Sequence, residues 1–241
     1  MIPPPEHDKE RVAIITGASQ GIGAGLARAY RERGYAVIAA ARSIGTSEDP
    51  GVVTVEGDIA DPDTAQRIVE AAVEHFGRID TLVNNAGIYI GKPFTDYTLE
   101  DFNTLIAVNL AGFFHITART IKHMLDQGSG HVVNISTTLV EQADSSTPAA
   151  LSVLTKGGLV AATKSLAIEY ASRGLRANAV SLGVIKTPTH DASSYAGMGA
   201  LHPLGRVGEI DDVVGGVLYL ESAPFVTGEI LHLDGGQSAG H

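Results

Sequence analysis

Short apolar and β-branched runs alternate along the chain with longer stretches whose apolar residues recur every three or four positions. The short runs predict seven strands, at 12–16, 36–41, 52–57, 81–87, 130–136, 175–181 and 229–234. Strands that alternate with helices in this way form βαβ units around a parallel sheet. The pattern therefore predicts an α/β fold, a single-domain Rossmann-type doubly wound sheet of about seven mainly parallel strands with helices on both faces.

Local signals place the helices between these strands. Asp61 is a candidate N-cap, Pro62 fits the first helical position and Gly77 follows the expected helix end. Thr98 and Asp101 have the spacing of a capping box, which starts a predicted long helix through Met124.

A second long helix is expected from about Ala150 to Ser172. Residues 188–206 mix Gly, Ser, Pro and His without periodicity and predict a mobile loop that shapes a substrate site. Residues 1–10 contain three consecutive prolines and predict a flexible arm, so the domain itself is expected to span 11–241.

Composition narrows the class of protein. The chain has 241 residues, 44% of them hydrophobic, which suits one α/β domain, and its net charge of -10 argues against nucleic acid or an anionic membrane as partner. The absence of cysteine excludes thiolate metal sites, the histidines lack zinc-site spacing, and no metal is expected. With no signal-peptide pattern and no apolar run near the roughly 20 residues that span a bilayer, we expect a soluble, cytoplasmic protein.

A glycine-rich turn, TGASQGIG, joins the first strand to the first helix at 16–23. Gly17, Gly21 and Gly23 allow a tight turn and close backbone approach, and a helix N-terminus offers unpaired N–H groups to phosphate. An ordinary glycine turn is the alternative interpretation, but its place between strand and helix favours dinucleotide binding.

Several motifs, taken together, resemble those of the short-chain dehydrogenase/reductase family. TGASQGIG is followed by NNAG at 84–87, VNL at 108–110, NIS at 134–136, TKGGL at 155–159, RANAVS at 176–181 and TGEILHLDGG at 227–236, in the family's order and spacing. The resemblance spans residues 11–236. It implies an oxidoreductase with a nicotinamide cofactor, acting on a small carbonyl, alcohol or related substrate as a homotetramer or homodimer.

The resemblance also implies a set of cofactor-binding residues. They are Gly17, Ser19, Gln20, Gly21, Ile22, Gly23, Arg42, Ser43, Asp58, Ile59, Asn85, Ala86, Gly87, Lys156, Gly183, Ile185 and Thr187. Where NAD-preferring relatives have Asp after the second strand, this chain has Ala41 and then Arg42 and Ser43. Because a guanidinium can bind a 2′-phosphate that a carboxylate would repel, NADP is favoured over NAD.

The catalytic set departs from the family at one position. Asn109, Ser136 and Lys156 match its Asn, Ser and Lys, but Ser152 stands where the family has its catalytic Tyr. An aliphatic hydroxyl is far less acidic than a phenol, so Ser152 is expected to be a poor acid–base group. A second departure is Leu182, where relatives usually have Pro before the nicotinamide-binding turn.

Three interpretations of Ser152 remain open at this point. The proton donor is another group, with Tyr89, Tyr195, His190 or a water bound to Lys156 as candidates; or the substrate needs less acid assistance. The third is a catalytically silent dinucleotide binder that senses redox state or scaffolds a partner. Retention of Asn109, Ser136 and Lys156 favours an active enzyme.

Overall fold

The computed structural model describes residues 10–188 and 195–240. The strands in these ranges are β1 Val12–Thr16, β2 Ala36–Ala41, β3 Val52–Glu56, β4 Thr81–Asn84, β5 Gly130–Thr137, β6 Leu175–Leu182 and β7 Ile230–Leu233. The helices are α1 Gly21–Glu32, α2 Pro62–Phe76, α3 Leu99–Leu105, α4 Gly112–Gln127, α5 Ala150–Tyr170, α6 Tyr195–Gly199 and α7 Ile210–Ser222.

The seven strands form one sheet in the order β3-β2-β1-β4-β5-β6-β7, and every neighbouring pair is parallel. The central strands are apolar on both sides because helices cover both faces, and all five residues of β1 are buried. Two apolar cores result, one on each face. The predicted doubly wound fold and all seven strands are confirmed, although β4 ends at Asn84 rather than at residue 87.

The capping signals of α2 are confirmed. The Asp61 side chain accepts a hydrogen bond from the Asp63 N–H, Pro62 occupies the first turn and Gly77 ends the helix with φ +75°. Gly77 suits this position because a residue with a Cβ is strained there.

The predicted helix from Thr98 has the expected capping box, but it is not regular. Between α3 and α4 the backbone forms a π-helical turn, Ile106–Ala111, and α4 then continues to Gln127. Apolar periodicity alone did not reveal this turn, because a single wide turn changes the spacing by only one residue.

Two helical stretches, Leu99–Gln127 and Ala150–Arg173, are long and apolar enough to cross a membrane by length and composition. The expectation that no apolar stretch reaches this length is therefore wrong. Both stretches pack on the sheet, as core helices do, and 39% and 33% of their most apolar windows are buried. Length and composition of this kind are weak evidence for a membrane span.

The expected substrate loop is described only in part. Pro188 and residues 195–206 belong to the described chain, where α6 forms and His202 and Gly199 are buried. The remaining loop residues, including His190, and residues 1–9 of the expected arm lie outside the described residues.

Candidate active site

The glycine-rich turn, residues 16–23, joins the end of β1 to the start of α1. Gly17 and Gly21 have φ of +67° and +57°, a backbone region that favours glycine. A Cβ on Gly23 would lie 2.2 Å from the Gly17 carbonyl oxygen, so only glycine fits there. Gln20 caps α1 without a side-chain hydrogen bond, so its side chain does not occupy the first N–H groups of the helix, where an anion can bind.

Asn85 braces this turn from the neighbouring strand. Its Nδ2 donates to the carbonyl oxygens of Thr16 (2.9 Å) and Gly17 (3.2 Å). The Thr16 hydroxyl accepts hydrogen bonds from the N–H groups of Asn85 and Ala86. Thr16 was missing from the predicted site residues, although its place at the head of the glycine motif was a signal for it.

The ends of β2 and β3 bring Arg42 and Ser43 close to Asp58. The Gly57 N–H donates to the Ala41 carbonyl oxygen at 3.0 Å, so the residues that follow both strands emerge side by side. Arg42, Ser43 and Asp58 are exposed, and Asp58 accepts a hydrogen bond from the Ala60 N–H. This edge can receive a polar ligand beside the glycine turn.

The π-helical turn holds Asn109 against the segment that follows NNAG. The Asn109 side chain is 2% exposed and makes both a donor and an acceptor bond with the backbone of Ile88, at 3.0 and 2.9 Å. Its Nδ2 also donates to the Thr155 hydroxyl at 3.0 Å. Asn109 therefore ties α5 to the strand end that carries Gly87.

Lys156 lies at the centre of this arrangement. Its Nζ donates to the Ile135 carbonyl oxygen at 2.9 Å, and a Cβ on Gly87 would lie 2.8 Å from Nζ. Burial lowers the pKa of Lys156 to about 8, because removal from water disfavours the charged ammonium. Ser136, 4% exposed, donates to the Lys156 carbonyl oxygen at 3.3 Å.

The Ser152 hydroxyl is occupied by another part of the chain. Ser152 is 1% exposed; its Oγ accepts from the Ile90 N–H at 2.9 Å and donates to the Ile90 carbonyl oxygen, also at 2.9 Å. A hydroxyl has one hydrogen to donate, and here that hydrogen is used on Ile90. Ser152 thus connects the start of α5 to the loop after β4, a role that the sequence did not indicate.

The other candidate proton donors differ in their surroundings. The Tyr195 hydroxyl donates to the Thr187 carbonyl oxygen at 2.9 Å, whereas the Tyr89 side chain is 54% exposed. Burial of part of the ring raises the pKa of Tyr89 above its usual value, which makes it a weaker acid. Tyr97 also donates to the Ile90 carbonyl oxygen, at 2.6 Å.

The segment after β6 closes the site on the side opposite Arg42. Ile185 is buried, and a Cβ on Gly21 would meet the Thr187 side chain at 3.6 Å. Gly183 begins the segment, and its N–H donates to the Leu233 carbonyl oxygen. Of the predicted residues of this segment, Thr187 is thereby brought beside the glycine turn, whereas Gly183 lies against His202 and Ile185 pairs with Gly208.

A pocket of about 350 Å³ lies beyond the end of β5. Its lining mixes polar and apolar surface and consists of Gln142, Ala143, Asp144, Ser145, Ser146, Ala200, Leu201 and Gln237. Among the described residues there is no group of three His, Asp or Glu side chains arranged to hold a metal ion.

Comparison with known proteins defines the class. A family model described as enoyl-(acyl carrier protein) reductase matches residues 17–238. The chain belongs to the short-chain dehydrogenase/reductase family, as the order of its motifs predicted.

Among curated relatives, cis-4-hydroxycyclohexanecarboxylate dehydrogenase from Sinomonas cyclohexanicum is 37% identical over 95% of this chain and 97% of its own length. A 3-oxoacyl-(acyl-carrier-protein) reductase from Thermotoga maritima is 35% identical over 94% of this chain and 97% of its own length. A 3-ketoacyl-(acyl-carrier-protein) reductase from Brucella melitensis, solved with NADH, superposes with a TM-score of 0.87 at 31% identity, covering 95% of this chain and 99% of that one. ElxO with NADP bound has a TM-score of 0.89 at 30% identity and covers 96% of this chain and 100% of that one.

Proposed function

We propose that this protein is an NAD(P)-dependent oxidoreductase that interconverts a small carbonyl compound and its alcohol, with Lys156 as its proton-transferring group. The observation that carries the proposal is the position of the Lys156 ammonium group at the carboxyl edge of the sheet, where it lies beside Gly87 and donates to the carbonyl oxygen of Ile135, the residue before Ser136 in β5. Ligands of doubly wound proteins bind at this edge.

The residues present fit a nicotinamide dinucleotide. Gly17 and Gly21 have the positive φ that a tight phosphate-binding turn requires, and the start of α1 offers N–H groups to a pyrophosphate. Asp58 and the pair Arg42 and Ser43 would hold the adenosine half, and Gly183, Ile185 and Thr187 the nicotinamide half. When bound, the cofactor would supply or accept the hydride.

Lys156 supports the proton transfer for two reasons. Its Nζ has three hydrogens and donates one to Ile135, so it can also donate to a substrate oxygen or to a water bound there. Its pKa of about 8 is far nearer neutrality than that of an ordinary lysine, which suits a general acid at physiological pH. In carbonyl reduction the ammonium gives one proton to the oxygen as the carbonyl π bond breaks, and the neutral amine regains a proton from solvent.

Ser136 and Asn109 support Lys156 in different ways. The Ser136 hydroxyl lies at the end of β5, and its bond to the Lys156 carbonyl oxygen is long, at 3.3 Å, so its hydrogen can turn to a substrate oxygen instead. Asn109 holds the backbone around Gly87 in place. Ser152 has a positioning role, since it fixes Ile90 against α5.

A catalytically silent dinucleotide binder is the second candidate. The observation that favours it is the use of the Ser152 hydroxyl on Ile90, which leaves the family's tyrosine position without an acid. The two candidates differ in one measurable property, since only the enzyme transfers hydride.

The first prediction concerns the pH dependence of that transfer. Reduction requires protonated Lys156, so kcat for a ketone should fall as pH rises through about 8, while kcat for alcohol oxidation should rise. Lys156→Arg keeps a positive charge but holds its proton at all accessible pH values, so it should lose roughly 10²- to 10⁴-fold in kcat together with the pH inflection. Stopped-flow absorbance of the reduced cofactor measures both.

The substrate panel for this test follows from the names of two relatives: a 3-oxoacyl thioester and a hydroxycyclohexanecarboxylate. Lys164→Arg, at an exposed position of the same helix, is the matched control and should behave as the wild type. Calorimetric binding of NADP or NAD without turnover of any panel member would favour the silent binder. Turnover without an inflection near pH 8 would remove Lys156 from the role of acid.

We also propose that the cofactor is NADP rather than NAD, and that the protein forms a homo-oligomer. Arg42 is exposed at the end of β2, and no carboxylate directly follows that strand. Large apolar side chains are exposed on α4 and α5, which supports association through these helices. We further propose that the pocket beyond β5, which Ala200 and Leu201 line from the loop side, receives the substrate.

A further inference from the structure

The segment Gly183–Pro188 runs between the two halves of the proposed site. It starts after Ser181, which is paired in register with Ser136 on β5. It ends with Thr187 in contact range of Gly21 in the glycine turn. A dinucleotide with its pyrophosphate at the glycine turn and its reactive ring near Ser136 has to pass along this segment.

One buried side chain holds the segment from behind. His202 is 3% exposed, and its Nε2 accepts a hydrogen bond from the Val184 N–H at 3.0 Å. Its Nδ1 lies 3.1 Å from the Met198 carbonyl oxygen in α6. Because a carbonyl can only accept, Nδ1 carries the hydrogen and Nε2 is the bare acceptor, as the bond from Val184 requires.

The surroundings leave no freedom for the His202 ring. A Cβ on Gly183 would lie 2.5 Å from Nε2, and a Cβ on Gly235 would lie 3.1 Å from the His202 Cβ. The backbone is fixed too, since the Gly205 N–H donates to the His202 carbonyl oxygen at 2.7 Å. The ring therefore occupies a slot that two glycines keep open behind the ends of β6 and β7.

We infer that His202 is a positioning residue for the nicotinamide half of the cofactor: it fixes the backbone at Val184 and couples that segment to α6. The inference rests on the proposed function, because it gives the segment a ligand to receive. The two ring nitrogens of His202 have different roles. Nε2 accepts the hydrogen bond from Val184, whereas Nδ1 donates only to α6.

Three variants separate these two bonds. His202→Gln places an amide oxygen at the Nε2 position and keeps an acceptor for Val184, whereas His202→Asn can keep only the bond to Met198. His202→Leu removes both. Two ligands are titrated by calorimetry, which needs no turnover. NADP reports on the whole site, and phospho-ADP-ribose, which is NADP without its nicotinamide ring, reports on the adenosine half alone.

We expect the NADP dissociation constant to rise roughly three- to tenfold in His202→Asn and His202→Leu, as for the loss of one hydrogen bond, and to stay within about twofold in His202→Gln. Binding of phospho-ADP-ribose should be unchanged in all three. His232→Gln is the matched control, since this exposed histidine on β7 contacts Glu141 rather than the segment, and it should change neither constant.

Two results would overturn the inference. One is equal weakening of NADP and phospho-ADP-ribose; the other is a lower thermal midpoint in all three variants with unchanged NADP binding, which would show a packing role alone. Failure of the wild type to bind either ligand would instead refute the proposed function, and the inference with it.

Discussion

At position 152 the length of the side chain determines which groups its hydroxyl can hydrogen-bond. A serine hydroxyl reaches only the groups next to its own helix, and the nearest are the N–H and carbonyl of Ile90. Both bonds are short and the serine is buried, so they add to stability. The residue thereby stabilises the loop that follows NNAG.

We predict that Ser152→Ala lowers the free energy of unfolding by about 1 to 3 kcal/mol, because it leaves the Ile90 backbone without this partner in a partly buried place. The Lys156-dependent pH profile should keep its inflection. Urea unfolding followed by circular dichroism measures the change, with Ser165→Ala on the exposed side of α5 as control. An unaltered unfolding midpoint would show that the two bonds contribute nothing net.

Arg42 is the residue on which the proposed preference for NADP depends. We predict that Arg42→Ala weakens NADP by about 1.5 to 3 kcal/mol and leaves NAD nearly unchanged, because only NADP has a 2′-phosphate for the guanidinium to bind. Arg33→Ala, an exposed arginine at the end of α1, serves as control. Equal effects on the two dinucleotides in a calorimetric titration would make Arg42 a surface charge only.

Among the elements, those with strong local signals were predictable from sequence. The caps of α2 at Asp61 and Gly77 are set by short-range chemistry, and the capping box of Thr98 and Asp101 likewise. The apolar runs of the strands reflect burial on both faces. The helix caps and the strands depend on residues close together in the chain, so the sequence predicted them.

The contacts of the site could not be read in this way. Ser152 and Ile90 are 62 positions apart, and His202 and Val184 are 18 positions apart, in the segments that follow α6 and β6. Their pairing depends on how helices and loops pack, for which a single sequence has no local signal. The family motifs located Lys156 and Asn109, but they did not indicate that the Ser152 hydroxyl binds Ile90.

A buried polar network at the amino edge of the sheet joins α7 to α1, β4, β5 and the residue before β2. Glu221 on α7 accepts hydrogen bonds from Tyr30 (3.2 Å), Tyr35 (2.9 Å) and Thr81 (2.9 Å), and it pairs with His131 at 3.0 Å. Burial alone would raise the pKa of Glu221, but these bonds outweigh it and bring the pKa to about 2. The carboxylate is therefore charged, with its oxygens satisfied inside the protein.

The protonation state of His131 is fixed by its second neighbour. Asn178 Nδ2 lies 3.0 Å from His131 Nε2, while Asn178 Oδ1 accepts from the Glu229 N–H. The amide thus presents a donor to Nε2, which must be a bare acceptor, and the one ring hydrogen lies on Nδ1 towards Glu221. Burial lowers the pKa of His131 below 6.5, against the opposing pull of Glu221, and Arg176 also faces the network and lowers it further.

We predict that acid destabilises the protein through this histidine. Because its pKa is lower in the folded chain than in the unfolded chain, the unfolded state binds more protons, and stability is lost as pH falls below about 6.5. Urea midpoints of the wild type should drop between pH 7.5 and 5, and by less in His131→Asn. His75→Asn, at an exposed site on α2, should keep the wild-type drop, and parallel curves for all three proteins would contradict the role of His131.

At the scale of the whole molecule, the parallel sheet separates two kinds of polar group. The groups proposed to bind and react lie at the carboxyl edge, whereas the Glu221 network lies at the amino edge. Stability can therefore respond to acid at one edge while the site at the other edge keeps its geometry. A third feature is the exposed apolar surface, part of which lies on the long helices α4 and α5.

We predict that this surface forms the oligomer. Phe114 on α4 is 63% exposed, and Leu154 and Ile168 on α5 are 61% and 81% exposed, which is costly in water unless another copy covers them. Sedimentation velocity should give a dimer or tetramer for the wild type and a smaller species for Ile168→Glu. Val73→Glu, on α2, is the control, and a monomeric wild type would contradict the prediction.

The π-helical turn at Ile106–Ala111 has a consequence for how the helices on that face of the sheet are arranged. One additional residue in a helical turn rotates all following residues by about 100° around the helix axis. The side chains of α4 therefore point in different directions around that axis from those of α3. Side chains on α3 can then face α5 while those on α4 face α2 and the sheet. A straight helix of regular pitch would have to pack against α5, α2 and the sheet with a single apolar stripe. In such a helix the Asn109 side chain would point away from Ile88.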